Sequence, residues 1–276
     1  MEFKKMVNNV HEGDCLEIMK NIPDGTIDMI LCDLPYGTTR NEWDSIIDLK
    51  KLWKEYKRII KHNGAIVLTG QGLFTAKLII EGEKLFKYKI VWIKSKATNF
   101  LNASKQPLRK HEDICIFYKQ QPIYNPQMTS GHVRKVSSAK KRSACIERRN
   151  LKEDYIYNKE YADKVNDYDS TDRFPRNVLR FASDKQRLAI HPTQTPKLLI
   201  EYFIKTYSNE GDTILDPCRG VNGVAVCADR LNRKAILIEK DEKFYNMGLI
   251  RREFPQLKTK EIKKKYFEIY NLDYDL

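Results

Sequence analysis

A five-residue turn, Asp33-Leu34-Pro35-Tyr36-Gly37, carries the side chains of this sequence that are best suited to chemistry. It follows the apolar run Met29–Cys32, which is typical of a buried strand. The Asp33 carboxylate can accept one hydrogen of an exocyclic amine, and a backbone carbonyl fixed by Pro35 can accept the other. Tyr36 offers a face for a base that has left its stack. We therefore predict Asp33, Pro35 and Tyr36 as catalytic residues in a nucleobase pocket, although a plain strand-ending turn is the alternative.

A second motif lies far down the chain, at residues 213–220, with the sequence Thr-Ile-Leu-Asp-Pro-Cys-Arg-Gly. We predict a buried strand there that runs into a glycine turn and then a helix from about Val221 to Leu231. The next predicted strand, Ala235–Glu239, ends in a carboxylate. Strand, glycine turn, helix, strand and acid are the arrangement of a nucleotide-type cofactor site, in which the acid binds ribose hydroxyls. Taken alone, this unit is equally well explained as a structural crossover.

Alternating helices and strands must position both motifs. Apolar residues recur at helical spacing from Leu49 to Ile60, and Asn63-Gly64 is expected to end that helix. A further helix is expected over Leu198–Tyr207. Strand-like runs fill the interval between them, at Ala65–Thr69, Lys89–Ile93 and Asp113–Tyr118. This alternation predicts a largely parallel sheet covered on both faces.

Together the motifs resemble those of the β-class amino-methyltransferases of DNA, which use S-adenosylmethionine. The tetrad Asp33-Leu34-Pro35-Tyr36 is similar to the family's Asp-Pro-Pro-Tyr motif, with Leu in place of the first Pro. Residues 191–196 resemble its His-Pro-Thr-Gln-Lys-Pro motif, and residues 216–220 its Asp-Pro-Phe-x-Gly motif. The order also resembles the family's circularly permuted one, with the catalytic motif first, a target-recognition insert next and the cofactor motifs last.

The resemblance implies an α/β fold with a doubly wound, mostly parallel, Rossmann-like sheet in permuted order, and S-adenosylmethionine as the cofactor. It implies methylation of adenine N6 in double-stranded DNA, because the tetrad begins with Asp rather than Ser. Cytosine N4 methylation, RNA N6 methylation and a non-catalytic DNA-binding relative remain alternatives, whereas an oxidoreductase is disfavoured by the absence of GxGxxG. Residues 12–16 resemble the segment beside the cofactor adenine. The cofactor-binding residues so implied are Asp14, Cys15, Asp33, His191, Thr193, Gln194, Asp216, Pro217, Gly220, Asn222 and Glu239.

Three departures from the family pattern bear on the cofactor site. Val221-Asn222-Gly223 replaces the usual Ser-Gly-Thr, and Asn is the best substitute for glycine at positive φ, so binding is expected but open to weakening. Arg219 is expected either to face solvent or to reach the methionine carboxylate of the cofactor. Thr195 replaces the usual Lys, and we predict it as the N-cap of the helix that starts at Pro196.

Basic residues mark the predicted nucleic-acid contacts. Residues 132–152 contain eight Lys or Arg and one acid, which suits phosphate binding, although charge runs are commonly just solvated loops. We predict a target-recognition insert over 120–189, with the catalytic domain formed by 1–119 and 190–276. The loop after Ile93 is expected either to border the base pocket or to be ordinary surface. The predicted nucleic-acid-binding residues are Lys94, Lys96, Arg134, Lys135, Lys140, Lys141, Arg142, Arg148 and Arg149.

Composition agrees with this interpretation. A formal net charge of +13 favours a polyanionic partner. The six cysteines form no CxxC pair and five histidines are scattered, so we expect free core thiols and no metal. No apolar run approaches the length of a membrane span and no signal peptide is evident, so we expect a soluble cytoplasmic protein without membrane contact. A homodimer is conceivable, but no interface is identifiable.

Overall fold

The structure of the protein is a computed structural model. It describes residues 2–37, 44–150, 166–182, 195–220, 223–254, 257 and 259–270, of which 146–150 and 259 are described by their backbone only. These residues form ten strands and nine α-helices. The strands are β1 (Asn9–Glu12), β2 (Ile27–Cys32), β3 (Ile60–Gly70), β4 (Phe86–Thr98), β5 (Arg109–Phe117), β6 (Lys135–Ser137), β7 (Tyr168–Ser170), β8 (Val178–Phe181), β9 (Thr213–Asp216) and β10 (Lys234–Glu239). The helices are α1 (Phe3–Met6), α2 (Cys15–Ile18), α3 (Leu49–Ile59), α4 (Leu73–Glu81), α5 (Ala139–Asn150), α6 (Lys197–Tyr207), α7 (Gly223–Arg230), α8 (Glu242–Glu253) and α9 (Thr259–Ile269).

Eight of these strands form one sheet in the order β1-β10-β9-β2-β3-β5-β4-β8. The first five run parallel to one another, β5 is antiparallel to both of its neighbours, and β8 is parallel to β4. The prediction of a mostly parallel α/β sheet is therefore confirmed. The strands β10 and β9 lie between β1 and β2, so two strands from late in the sequence separate the first two strands of the chain.

Both faces of this sheet are buried. In β2, Ile30 and Cys32 join one apolar cluster, whereas Met29 and Leu31 join another on the opposite face. The first cluster includes residues of α3, and the second includes residues of α6 and α7. A strand that is covered on both sides has no solvent-facing positions, which explains why its sequence is a continuous apolar run.

One local expectation was wrong. The helix α3 ends at Ile59 because β3 begins at Ile60, and Asn63-Gly64 lies inside that strand rather than stopping the helix. A Cβ at Gly64 would stand 2.8 Å from the carbonyl oxygen of Asp28, so this glycine permits the close approach of β3 to β2. The other strands and helices predicted from periodicity are present with shifted ends.

The chain divides into a large unit, 1–125 with 177–276, and a small unit, 126–176. The small unit contains the antiparallel pair β6 and β7 together with α5. It is narrower than the predicted insert 120–189, because β8 pairs with β4 in the large sheet. No helix of the described ranges is long and apolar enough to cross a membrane.

Candidate active site

Four acidic residues lie at one edge of the sheet, where parallel strands end. Glu239 is the last residue of β10 and Asp216 the last of β9, and these strands pair in register with Leu237 opposite Asp216. Asp14 follows β1, whose Glu12 pairs with Glu239. Asp33 follows β2, which pairs with β9. The carboxyl edge of a parallel sheet is the usual place for a ligand in such folds.

The Asp33 carboxylate is surrounded by hydroxyl groups from three parts of the chain. Its Oδ1 accepts hydrogen bonds from the Tyr36 hydroxyl, at 2.8 Å, and from the hydroxyl of Thr69 at the end of β3. Its Oδ2 accepts one from the Thr195 hydroxyl at 2.7 Å. A carboxylate has about four acceptor positions. Among the described residues, three of these are used, and one position remains on Oδ2.

Thr195 thus differs from its predicted role as a helix N-cap. The N-cap of α6 is Pro196, with no side-chain hydrogen bond, and the Thr195 hydroxyl turns to Asp33 instead. The preference of Thr for N-cap positions is weak beside a charged acceptor, because hydrogen bonds to carboxylates are about twice as strong as neutral ones.

Tyr36 is oriented by a second aromatic ring and by its turn. Its ring centroid lies 5.1 Å from that of Phe74, and Gly37 has a φ of 66° and donates its amide to Asp44 at 2.9 Å. Burial, followed by the negative charges of Asp33 and Glu112, raises the pKa of the Tyr36 hydroxyl well above its usual value. The phenol therefore stays protonated and donates to Asp33.

A cavity of about 530 Å³ opens beside Tyr36. It is large enough for a nucleobase, since ligand pockets begin at roughly 300 Å³. The turn after β3 and the start of β5 contribute to its walls. The residues that line the cavity are Tyr36, Gly37, Ile46, Gln71, Gly72, Leu73, Phe74, Lys77, Arg109 and His111.

A largely buried ion pair lies close to Asp33. Glu112 on β5 accepts a hydrogen bond from Lys94 on β4, and their side chains are 12% and 16% exposed. Burial, and then repulsion from Asp33, raises the pKa of Glu112 to about 7, and Lys94 opposes both effects. Lys94 also lies over the Trp92 ring, 5.2 Å from its centroid. Lys94, which the sequence predicted as a nucleic-acid-binding residue, is therefore already paired with Glu112.

The glycine turn is connected to the neighbouring strand through Glu239. One carboxylate oxygen of Glu239 accepts the Gly220 amide at 2.7 Å, and the other accepts the Asp241 amide at 2.9 Å. Burial raises the pKa of Glu239, while the two backbone hydrogen bonds act in the opposite direction. Gly220 has a φ of 54°, and no described atom lies within 4 Å of where its Cβ would be. Asp14, half-exposed, caps α2 through the Leu16 amide.

The remaining predicted cofactor residues that are described lie deeper. Asp216 and Pro217 are buried, and Asp216 accepts the Cys218 amide at 3.2 Å. Burial, opposed first by that hydrogen bond, raises the pKa of Asp216 to about 7. The Cys15 thiol is buried and hydrogen-bonded to that of Cys218, which raises its pKa. The cysteines are free, as expected, but Cys145 is exposed rather than in the core.

Arg219 takes neither of its two expected directions. It is 4% exposed and turns into the protein, where Nη2 donates to the carbonyls of Phe244 and Tyr245 in α8 at 3.2 and 2.7 Å. Burial lowers its pKa to about 10, although the nearby Glu239 and Asp216 stabilise the charge. Gly248 of α8 makes room for it, because a Cβ there would lie 2.2 Å from Nη2.

Several predicted residues cannot be placed in this geometry. His191, Thr193, Gln194 and Asn222 lie outside the described residues, and so do the side chains of Arg148 and Arg149. In the small unit Arg134 donates to Asp169 at 2.7 Å and Arg142 to the carbonyl of Asn166 at 2.9 Å. The predicted cations that are simply exposed are Lys96, Lys135, Lys140 and Lys141.

Three site residues were missed in the sequence. Thr69 ends the strand next to β2, so the rule that adjacent parallel strands end at one edge was enough to find it. Glu112 had a weaker signal, an acid shortly before the apolar run of β5, whose partner strand carries Lys94. Phe74 had none, since an aromatic residue on a helix is commonly core.

Comparison with known proteins places the chain among enzymes of one kind. The family model for N6 and N4 methylases, described as "DNA methylase", matches residues 27–250. A DNA adenine methyltransferase of Escherichia coli (strain K12), YhdJ, is 28% identical over 260 residues, covering 90% of this chain and 84% of the relative. The type II methyltransferase M.HpaI of Haemophilus parainfluenzae is 26% identical, covering 86% of this chain and 71% of its own.

Solved structures share the fold. The cytosine-N4-specific PvuII DNA methyltransferase has a TM-score of 0.64 at 16% identity, covering 96% of this chain and 93% of that one. M1.HpyAVI, solved with S-adenosylmethionine, has a TM-score of 0.58 at 19% identity, covering 88% of this chain and 98% of that one. At these identities the likeness concerns the fold.

Proposed function

This chain belongs to the N6/N4 DNA methylase family, and we propose that, as an S-adenosylmethionine-dependent DNA methyltransferase, it methylates N6 of adenine at a specific sequence in double-stranded DNA. The observation that carries the proposal is the Asp33 carboxylate, which accepts a hydrogen bond from Tyr36, a residue that lines the cavity. Three hydroxyl donors hold that carboxylate and leave one acceptor position on Oδ2 among the described residues. One such position suits one hydrogen of an exocyclic amine.

The sheet edge next to Asp33 fits the cofactor. Asp14 and Glu239 stand at the ends of paired strands, where carboxylates can accept ribose hydroxyls, and no described atom lies within 4 Å of the place of a Cβ at Gly220. When bound, S-adenosylmethionine supplies a methyl carbon on a sulfonium, which leaves as a neutral sulfide. We expect the residues of the segment 191–194 and Asn222 to contribute as well, as the family resemblance implies.

The chain's own residues then have to bring the amine nitrogen into position. The lone pair of the N6 amine is delocalised into adenine, so its hydrogens must be accepted for the nitrogen to pyramidalise. Oδ2 of Asp33 accepts one hydrogen, and the backbone carbonyl fixed by Pro35 accepts the other. Tyr36 stacks on the extruded base, and the released proton passes to water or transiently to Asp33. Positioning accounts for most of the rate in such a reaction.

Adenine N6 is preferred to cytosine N4 on two grounds. The relative named as an adenine methyltransferase is 28% identical over 90% of this chain, and the catalytic tetrad begins with Asp. Cytosine N4 is the second candidate, because the PvuII methyltransferase, which is specific for cytosine N4, shares the fold with a TM-score of 0.64.

The small unit, 126–176, is assigned to target recognition in this proposal. Its support is the set of exposed cations Lys135, Lys140 and Lys141, which suit DNA phosphates. The relatives named type II methyltransferases support a place beside a restriction nuclease for this enzyme as well.

The test is to incubate unmodified genomic DNA with the protein and methyl-labelled S-adenosylmethionine, digest the product and identify the labelled nucleoside by mass. N6-methyldeoxyadenosine is expected, and N4-methyldeoxycytidine would decide for the second candidate. Asp33→Ala should abolish transfer and leave the calorimetric Kd for S-adenosylmethionine within about threefold, a change of under 1 kcal/mol. Asp24→Ala, which removes a 77% exposed carboxylate, is the matched control and should retain full activity. Turnover by Asp33→Ala would refute the assignment.

A further inference from the structure

The loop between β4 and β5 displays two large apolar side chains to solvent. Phe100 is 75% exposed and Leu101 is 82% exposed. Hydrogen bonds hold the backbone beneath them: Asn102 bonds Asn99 through both its side chain, at 2.7 Å, and its backbone amide, at 3.1 Å. The Lys105 amide in turn bonds the Asn102 carbonyl at 2.9 Å. An ordered turn therefore presents two apolar groups that the fold itself does not bury.

The charge around this pair has one sign. All charged residues between Ile93 and His111 are cations. Lys94 is neutralised by Glu112, but the others are exposed: Lys96, Lys105, Arg109 and Lys110. Exposed cations around an apolar tip match a partner with an anionic surface and an apolar, stacked interior, which is duplex DNA.

The base of this loop forms one wall of the Tyr36 cavity. Arg109, the first residue of β5, lines the cavity and donates to the side chain of Gln71 at 3.1 Å. Gln71 donates in turn to the carbonyl of His111 at 3.1 Å, and both of these residues also line the cavity. Thr98 of β4 pairs with Arg109 of β5, so the loop lies between these two residues and ends at a residue of the cavity wall. The apolar tip is therefore carried by a loop whose base lines the cavity.

We propose that Phe100 and Leu101 form a wedge that enters the base stack beside the target base, while Lys96 and Lys105 hold the flanking phosphates. The wedge rests on the proposed function in that a base must leave the duplex to reach Tyr36. Extrusion breaks stacking and pairing at that step. Apolar side chains inserted there replace lost stacking contacts and keep the vacated step open.

Paired and mispaired substrates separate this role from general DNA binding. Once the methylated sequence is known, kcat/KM is measured on a fully paired duplex and on one with a mismatched target base. The double variant Phe100→Ala/Leu101→Ala is expected to lose roughly tenfold or more on the paired duplex, since a wedge that offsets about 1.4 kcal/mol is worth a factor of ten. On the mismatched duplex, whose target base is already loosened, the loss should fall to about threefold or less. Ile80→Ala, 67% exposed on α4, is the control and should behave as wild type on both.

A second readout does not depend on methylation. A nicked plasmid is ligated in the presence of saturating protein, and its linking number is compared with that of plasmid ligated alone. Wild type is expected to unwind the plasmid, and the double variant to lose that change while its Kd for S-adenosylmethionine is unaltered. If the wild-type protein unwinds the plasmid but does not methylate DNA, the result would contradict the proposed function and support the wedge.

Three results would overturn the wedge. Equal losses on paired and mismatched duplexes would mean general binding or structural damage. Unchanged kinetics and unwinding in the double variant would mean that the tip stays outside the DNA. A wild-type dimer that becomes monomeric in the double variant, by sedimentation, would assign the tip to contact with a second copy of the chain.

Discussion

The smallest scale on which this enzyme is organised is the set of oxygen atoms around Asp33. The carboxylate is held by hydroxyls from its own turn, from β3 and from the segment before α6. Thr195 is the informative member, because it stands where the family resemblance expects Lys. A lysine there would place a full charge next to Asp33, whereas a threonine hydroxyl fixes the same oxygen without neutralising it.

Thr195→Val should lower kcat by roughly tenfold while leaving KM for DNA and the Kd for S-adenosylmethionine within about twofold, because a hydrogen bond to a charged group contributes about 1.5–3 kcal/mol. Thr195→Ser restores the hydroxyl and should recover most of the activity. Steady-state kinetics and calorimetry on the three proteins check this. An equal loss of activity in the Ser and Val variants, or a change in KM alone, would show that the Thr195 hydroxyl does not position Asp33.

At the scale of elements, the glycine turn after β9 is joined to α8 by hydrogen bonds. Arg219 projects from the turn after β9 and bonds two carbonyls of α8, with Gly248 providing the space. Its Nε and Nη1 are buried without a partner among the described residues. A buried guanidinium with unused donors costs free energy, which the bonds of Arg219 to α8 and the nearby carboxylates of Glu239 and Asp216 offset in part.

Gly248→Ala should therefore reduce the free energy of unfolding by about 1–3 kcal/mol, since its methyl group collides with Arg219. In an Arg219→Ala background the same substitution should become neutral or stabilising by up to about 1 kcal/mol, because alanine favours a helix over glycine. Denaturant unfolding of the four proteins forms a double-mutant cycle. Additive effects would show that Arg219 and Gly248 do not contact each other in solution.

At the scale of the whole molecule, the positions of the cations matter as well as the net charge. The formal charge of +13 favours a polyanionic partner such as DNA, but several cations already have ion-pair partners. Lys94 is paired with Glu112 in a largely buried pair, and Arg134 with Asp169 at the surface. Exposed cations that have no ion-pair partner among the described residues are expected to carry the salt-dependent part of DNA binding. In the small unit these include Lys135, Lys140 and Lys141.

Replacing these three lysines with glutamine should weaken duplex binding and reduce the slope of log K against log salt by up to about 2.7, since each phosphate contact contributes about 0.9. The matched control carries the same charge change on α3, at the exposed residues Lys50, Lys54 and Lys57. Fluorescence anisotropy across a salt series measures both. Equal slope changes in the two variants would mean that only net charge affects binding. They would contradict the assignment of DNA contact to the small unit.

Local features could be predicted from the amino-acid sequence: the carboxylate turn after β2, the glycine turn after β9, and the alternation of helices and strands that indicates a parallel sheet. These features depend on neighbouring residues and on the periods of helix and strand, so they are legible without a fold. The family resemblance, itself carried by short motifs, gave the methyltransferase activity and the cofactor in the same way.

Contacts between residues far apart in sequence became known from the folded chain. Thr195 reaches Asp33 across 162 positions of sequence, Glu112 pairs with Lys94 across a hairpin, and Arg219 turns toward α8 instead of solvent or cofactor. Strand order and register set these contacts, and a shift of one residue in a strand sends its side chains to the other face. No local pattern encodes that choice, because it follows from burying both faces of the sheet at once.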